Sequence, residues 1–383
     1  MSVTAPAGFR AAGVAAGLKS SGDPDVALVV NDGPHDAAAG VFTTNRFPAA
    51  PVLWSRQVLL GGRLRAVVLN SGGANACTGT EGFGDTHATA EHTAAELGLG
   101  AIDVAVASTG LIGVRLPMDR LLPGVTDAAK ALSADGGADA ARAIMTTDSV
   151  PKTTVQHRDG WSVGGMAKGA GMLAPSLATM LVVLTTDAVV PADVLGPALE
   201  QATGVSFERV DSDGCLSTND TVIVLSSGAS GVTPAPGEVA EALTAAATDL
   251  AMQLLADAEG STKDIAITVR NAASVQDALT AGRACARNNL LKTALFGNDP
   301  NWGRVLAALG TTDAAFEPDR VDVTINGVTV CRGGAIGDPR EGVDLTGRAV
   351  TIDVDLRAGT EQATIWTNDL SIAYVHENSA YST

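Results

Sequence analysis

Apolar residues along the chain fall into two rhythms. Unbroken runs bounded by polar or turn residues predict strands at DVALVV (25–30), RAVVLN (65–70), DVAVAST (103–109), TMLVVLTTD (179–187) and TVIVLSS (221–227), of which TMLVVLTTD reads as buried on both faces. The later segments DIAITVRN (264–271), VDVTING (321–327), VTVCRG (328–333), AVTIDVDL (349–356) and EQATIWT (361–367) are further strand candidates. KTTVQHRDGWSVGGMAKG (152–169) predicts a hairpin turning at Asp159-Gly160. Helical patterns lie between them, over 87–97, 126–145, 191–202 behind Pro191, 237–257, and from the end of the 264–271 strand to Arg287. No fixed-period repeat is present. Hairpins mixed with long helices favour α+β layers over a doubly wound sheet.

Composition narrows the picture. The chain has 383 residues, 46% apolar and 17% charged, as in a soluble globular protein. No run approaches the roughly 18 apolar residues of a membrane helix, and no basic-then-apolar leader opens the chain, which points to the cytoplasm. A net charge of −17 and 3% aromatics argue against non-specific nucleic-acid binding. Cys77, Cys215, Cys285 and Cys331 are far apart and read as reduced, mostly buried thiols. His87 and His92 are expected to face water from a helix, and no zinc pattern occurs, so no metal is expected. P-loop, dinucleotide and nucleophile-elbow motifs are absent.

One junction stands out. In KGAGMLAPSLATMLVVLTTDA (168–188) a glycine- and proline-bearing loop gives way to a core strand at Thr179. A threonine there suits an N-terminal nucleophile. Cutting Ala178–Thr179 frees an α-amino group of pKa about 7.7–8.0 beside its own hydroxyl, which then needs no histidine as base. Read alone, the position also suits a threonine merely satisfied at a strand start.

The same segment resembles the autoprocessing region of the ornithine acetyltransferase family, the bifunctional glutamate N-acetyltransferases of arginine biosynthesis. LNSGGANACTG (69–79), ASTGLIGVRLPM (107–118), AIMTTD (143–148), DSDGCLSTNDT (211–221), DAEGSTK (257–263), GNDPNWGR (297–304) and ENSAYST (377–383) match further signatures in family order. SGGAN replaces the family's SGNAN, and Ala174 and Ser176 flank Pro175; none of these changes touches a candidate catalytic group. An intact NACTG leans toward arginine biosynthesis rather than the antibiotic branch.

The resemblance implies an αββα-layered, N-terminal-nucleophile-like α+β fold, self-cleaved into chains 1–178 and 179–383 that assemble as α2β2. It implies acetyl transfer from N2-acetyl-L-ornithine to L-glutamate by a ping-pong route on Thr179. No cofactor is implied, although some members accept acetyl-CoA. Thr109 and Gly110 match the oxyanion pair. Thr146, Lys168, Glu259, Asn378 and Thr383 match substrate contacts, with Thr147 an alternative to Thr146. Asp299, Asn301 and Arg304 are expected to be structural. Two rival readings remain: an amidohydrolase or aminopeptidase of the same layout, and an uncleaved binding homologue.

Overall fold

The computed structural model describes residues 2–172, 174 and 180–380. One four-stranded sheet runs in the order β1-β2-β4-β5, from β1 (Phe9–Val14), β2 (Val26–Asn31), β4 (Ala66–Asn70) and β5 (Val104–Ser108). A five-stranded sheet follows β3-β9-β8-β7-β6, from β3 (Ala37–Phe42), β6 (Lys152–Arg158), β7 (Trp161–Lys168), β8 (Leu181–Thr186) and β9 (Thr221–Ser226). The pairs β4/β5 and β8/β9 are parallel, and the other neighbours in these sheets antiparallel.

These sheets pack face to face, which explains the unbroken apolar runs. Met166, Leu181, Val183, Ile223 and Leu225 share a core with the first sheet. The alternate residues Val163, Val182, Leu184, Val222 and Val224 turn instead to α5 (Ala192–Val205) and α6 (Pro236–Ala256). The outer face of the first sheet is covered by α2 (Gly79–Leu97) and α3 (Met118–Ala131), while α4 (Gly137–Ala143) lies against β1. At the opposite edge α1 (Ala50–Val58) blocks β5: Ser55 Oγ donates to the Val106 carbonyl at 2.7 Å and accepts the Val106 N–H at 2.9 Å. Although α6 is long and apolar enough to cross a membrane, more than half of its apolar window is buried in the fold.

A third sheet extends the two-sheet sandwich. It runs β13-β12-β11-β14-β10-β15 and uses β10 (Asp264–Ala272), β11 (Asp322–Ile325), β12 (Val328–Arg332), β13 (Ala335–Ile336), β14 (Ala349–Asp355) and β15 (Glu361–Asn368). Its inward residues, among them Ile265, Ile267 and Val269, share a core with α7 (Val275–Ala286), α8 (Asn289–Phe296) and α9 (Trp302–Leu309). A final helix, α10 (Ile372–Ala380), packs close to the turn after α6. The fold is α+β, with mixed sheets flanked by helices.

Several expectations need correction. The helix expected over 126–145 is two helices, because Ser133 pairs with Ala11 through both backbone groups and adds a bridge to the β1 edge. The helix expected from His87 begins at Gly79, where Gly82 lets the Asn75–Thr78 loop sit close: a Cβ there would meet Thr78 Oγ1 at 1.9 Å. His87 and His92 are only half exposed. The first lies edge-on to Trp54, and the second is hydrogen-bonded to Thr126 Oγ1 at 2.8 Å. Of the thiols, Cys285 and Cys331 are buried but Cys77 and Cys215 are exposed.

Candidate active site

The two stacked sheets bring the ends of β5 and β7 together. Alternation along β7 puts Lys168 on the same face as Met166, toward the first sheet, and Lys168 pairs in register with Leu181 of β8. Lys168 is therefore not an exposed loop lysine: it ends a strand and is 1% exposed. Its Nζ donates to Thr109 Oγ1 at 3.4 Å, just beyond β5.

Gly110 follows in a left-handed backbone conformation, φ +132°, and approaches Gly73 so closely that a Cβ would meet its Cα and N at 2.8 Å. Among the described residues its N–H has no acceptor. The strand end beneath it is held from both sides. Thr109 donates its N–H to the Asn70 carbonyl, and Asn219 Nδ2 donates to the carbonyls of Ser108 (2.7 Å) and Ala74 (2.6 Å).

Glu259 lies just after α6, its N–H bonded to the Ala170 carbonyl. Asn378 of α10 donates to Glu259 Oε2 at 2.9 Å. That contact depends on a close approach at Gly260 (φ +59°), where a Cβ would meet Tyr374 N at 2.2 Å. Ser371 Oγ ties the same turn by donating to the Gly260 carbonyl.

Thr109, Gly110, Thr146, Thr147, Lys168, Glu259 and Asn378 line one pocket. Ser217, Thr218 and Asn219 complete a further wall. Thr147 thus stays beside Thr146, but it is Thr146 whose N–H is fixed, by Asp148 Oδ2 at 3.0 Å. Ala178, Thr179 and Thr383 lie outside the described residues. Asp299, Asn301 and Arg304 are not part of the lining; Asn301 bonds Asp299, and Arg304 donates to the Leu290 carbonyl. Among the described residues no histidine lines the pocket, and no three His, Cys, Asp or Glu side chains gather as a metal site.

Three charged groups went unassigned by sequence reasoning. Asp148 belongs to the quoted AIMTTD and Asp220 to DSDGCLSTNDT, so the motifs marked them, but nothing in spacing tells a buried carboxylate from a solvated one. Lys152 carried no signal beyond its place in the hairpin. Asp148 and Lys152 side chains are both fully buried and paired at 2.6 Å, and Lys152 also reaches Asp257 at 2.5 Å. Burial pushes the Asp148 carboxyl up, but Lys168 and Lys152 more than offset it and hold the group below the usual aspartate range. Burial lowers Lys168 from the ordinary lysine value, against the pull of Asp148. Asp220 accepts the Met180 N–H at 3.2 Å, next to the Thr179 position, and burial raises it well above the usual range.

A family model described as the ArgJ family matches residues 10–383. The arginine biosynthesis bifunctional protein ArgJ of Streptomyces coelicolor is 66% identical over 382 residues, covering 100% of both chains. Its namesake in Mycobacterium tuberculosis is 60% identical over 388 residues, covering 99% of this chain and 96% of the relative. Among solved structures, ornithine acetyltransferase complexed with ornithine from M. tuberculosis is 64% identical, covering 47% of this chain and 96% of that one, with a TM-score of 0.45. The Bacillus halodurans argJ protein is 33% identical, covering 51% and 97%, with a TM-score of 0.49.

Proposed function

The chain belongs to the ArgJ family, and from that premise we propose that it moves an acetyl group from N2-acetyl-L-ornithine to L-glutamate, in arginine biosynthesis, through an acetyl ester on Thr179. The observation that carries this reading is the convergence of Thr109, Gly110, Thr146, Lys168, Glu259 and Asn378, distant in sequence, on one pocket.

Maturation comes first. Thr179 Oγ adds to the Ala178 carbonyl, the peptide C–N bond breaks, and the acyl group moves to Oγ as an ester. Water hydrolyses that ester, which leaves the Ala178 carboxylate and a free α-amino group on Thr179. In turnover this amine takes the Oγ proton as Oγ attacks the acetyl carbonyl. Collapse of the tetrahedral intermediate expels the ornithine α-amine, which receives the proton. The neutral α-amine of glutamate then attacks the acetyl ester, forming N-acetylglutamate and restoring Thr179.

Each wall has a task. The Thr109 hydroxyl and the Gly110 N–H face the oxyanion. Lys168 receives the α-carboxylate, Glu259 with Asn378 receives the amine, and Thr146 contacts the substrate. Both substrates carry the same α-carboxylate and α-nitrogen, so one subsite serves both halves of a ping-pong cycle. The reaction as written calls on no metal or bound cofactor. Assembly as α2β2 and a cytoplasmic setting complete the proposal.

Supplying acetylornithine with and without glutamate tests the reading. N-acetylglutamate is expected only with glutamate present; acetate released at the same rate without it would assign a hydrolase instead. Thr383 is proposed to close the subsite together with Asn378. Deleting residues 379–383 is therefore expected to raise KM roughly tenfold or more, about the worth of a charge-assisted hydrogen bond, with cleavage intact. Unchanged kinetics would remove the tail from the site.

A further inference from the structure

Asp148 is the buried hub behind the pocket without lining it. Its side chain is fully buried, and its oxygens serve groups from separate segments. Oδ1 accepts Lys152 Nζ and the Gly169 N–H, each at 2.6 Å. Oδ2 accepts the Thr146 N–H at 3.0 Å and stands 4.0 Å from Lys168 Nζ. The two backbone bonds fix the carboxylate in place, so it does not swing toward either lysine.

A lysine this deep sheds its proton unless an opposite charge holds it. Among the described residues five ionisable groups act on Lys168 or feel its charge. Asp148 follows α4, Lys152 lies on β6, Glu259 follows α6, Asp220 precedes β9, and Lys19 lies between β1 and β2. Lys152 and Lys19 oppose its charge. Asp257 offsets Lys152 at 2.5 Å, which leaves Asp148 as the largest counter-charge on Lys168, ahead of Glu259. Asp220 contributes less, because burial favours its neutral form.

We propose that Asp148 is a positioning residue that keeps Lys168 a cation, aimed at Thr109 and at the carboxylate of the bound amino acid. An ammonium has three donors and no acceptor, so Thr109 Oγ1 must accept from Lys168 and turn its own proton elsewhere, into the pocket. The inference rests on the reading of Lys168 as the carboxylate contact.

The test is L-ornithine binding by calorimetry from about pH 5 to about pH 10, a range that spans displaced lysine titrations. Wild type, Asp148→Asn and Lys152→Met are compared, each confirmed as folded and cleaved. The groups on ornithine titrate alike in all three, so differences belong to the protein. Asp148→Asn is expected to lose binding at a pH about one to three units below wild type, since an opposite charge has gone. Lys152→Met is expected to move the loss to higher pH, since a like charge has gone. Coincident limbs, or affinity lowered by the same factor at every pH, would reduce Asp148 to a packing role and overturn the inference. If Asp148→Asn does not fold, the Lys152→Met curve decides: an upward shift supports the inference, and an unmoved or downward one sinks it. Wild-type protein that does not bind ornithine would bring down the reading of the site and this inference with it. Ornithine binding with unshifted limbs brings down Asp148 alone.

Discussion

Thr179→Ala is expected to give a single chain of 38.5 kDa with no transferase activity. The proposed mechanism asks two things of this residue. Its Oγ opens the Ala178–Thr179 bond, and its freed α-amine then serves as the base. Alanine removes the first, so the second never appears. Among the described residues no histidine lines the pocket, and the Glu259 carboxylate that does is engaged by Asn378 at 2.9 Å. Lys168 is held beside Asp148 at its back, and Asp220 is pushed toward the neutral acid by burial. The loss should be on the order of 10⁶ in kcat, the scale seen when a hydrolase loses its nucleophile. Denatured intact mass reads the cleavage and acetylglutamate formation reads the turnover. A two-chain Thr179→Ala product would mean that another group cuts the bond. Thr179→Ser separates the parts further: it keeps the oxygen and the amine but loses the methyl group that restricts χ1, so cleavage should persist at an altered rate.

What the sequence made legible follows from what each element buries. The run from Thr179 to Thr186 announced a strand closed on both sides, and β8 does lie between the first sheet and α5 with α6. The family resemblance, not periodicity, put Thr109, Lys168 and Glu259 in one account before any geometry was known. Periodicity failed where tertiary contacts outvoted it. Ser133 breaks a helix-forming stretch because the β1 edge needs a partner. The glycine-rich start of α2 is helical because Gly82 lets Asn75 and Thr78 pack on it, with Asn75 Nδ2 donating to the Gly82 carbonyl. Lys168 was misplaced for a related reason. It is followed by the loop-like Gly169-Ala170-Gly171, while the groups that make its burial tolerable, Asp148 and Thr109, are 20 and 59 residues away. Nor did any sequence signal show that Asn219 clamps the strand end beneath Gly110.

That clamp bears on the second large effect. In Thr109→Val, which keeps the shape and removes the hydroxyl, kcat for cleaved enzyme should fall by about 10²–10³, or roughly 2.7–4 kcal/mol. KM should hardly move. The reason is where charge develops. The ground-state acetyl oxygen is a weak acceptor, whereas the tetrahedral oxyanion needs donors already aimed at it. Gly110 offers an N–H without a competing acceptor among the described residues, held by its left-handed backbone and by Asn219 under Ser108. Thr109 offers a hydroxyl whose oxygen is occupied by Lys168, so its proton is free to point inward. An interaction made only in the transition state lowers kcat and kcat/KM together. Rates should be referred to the cleaved fraction by intact mass, because the same donors could also serve the Ala178 carbonyl during maturation. If KM rises with kcat unchanged, Thr109 grips the ground-state substrate instead. The oxyanion would then rest on the Gly110 N–H, because the Thr218 hydroxyl in the same lining is committed to Asn219 Oδ1 at 2.7 Å.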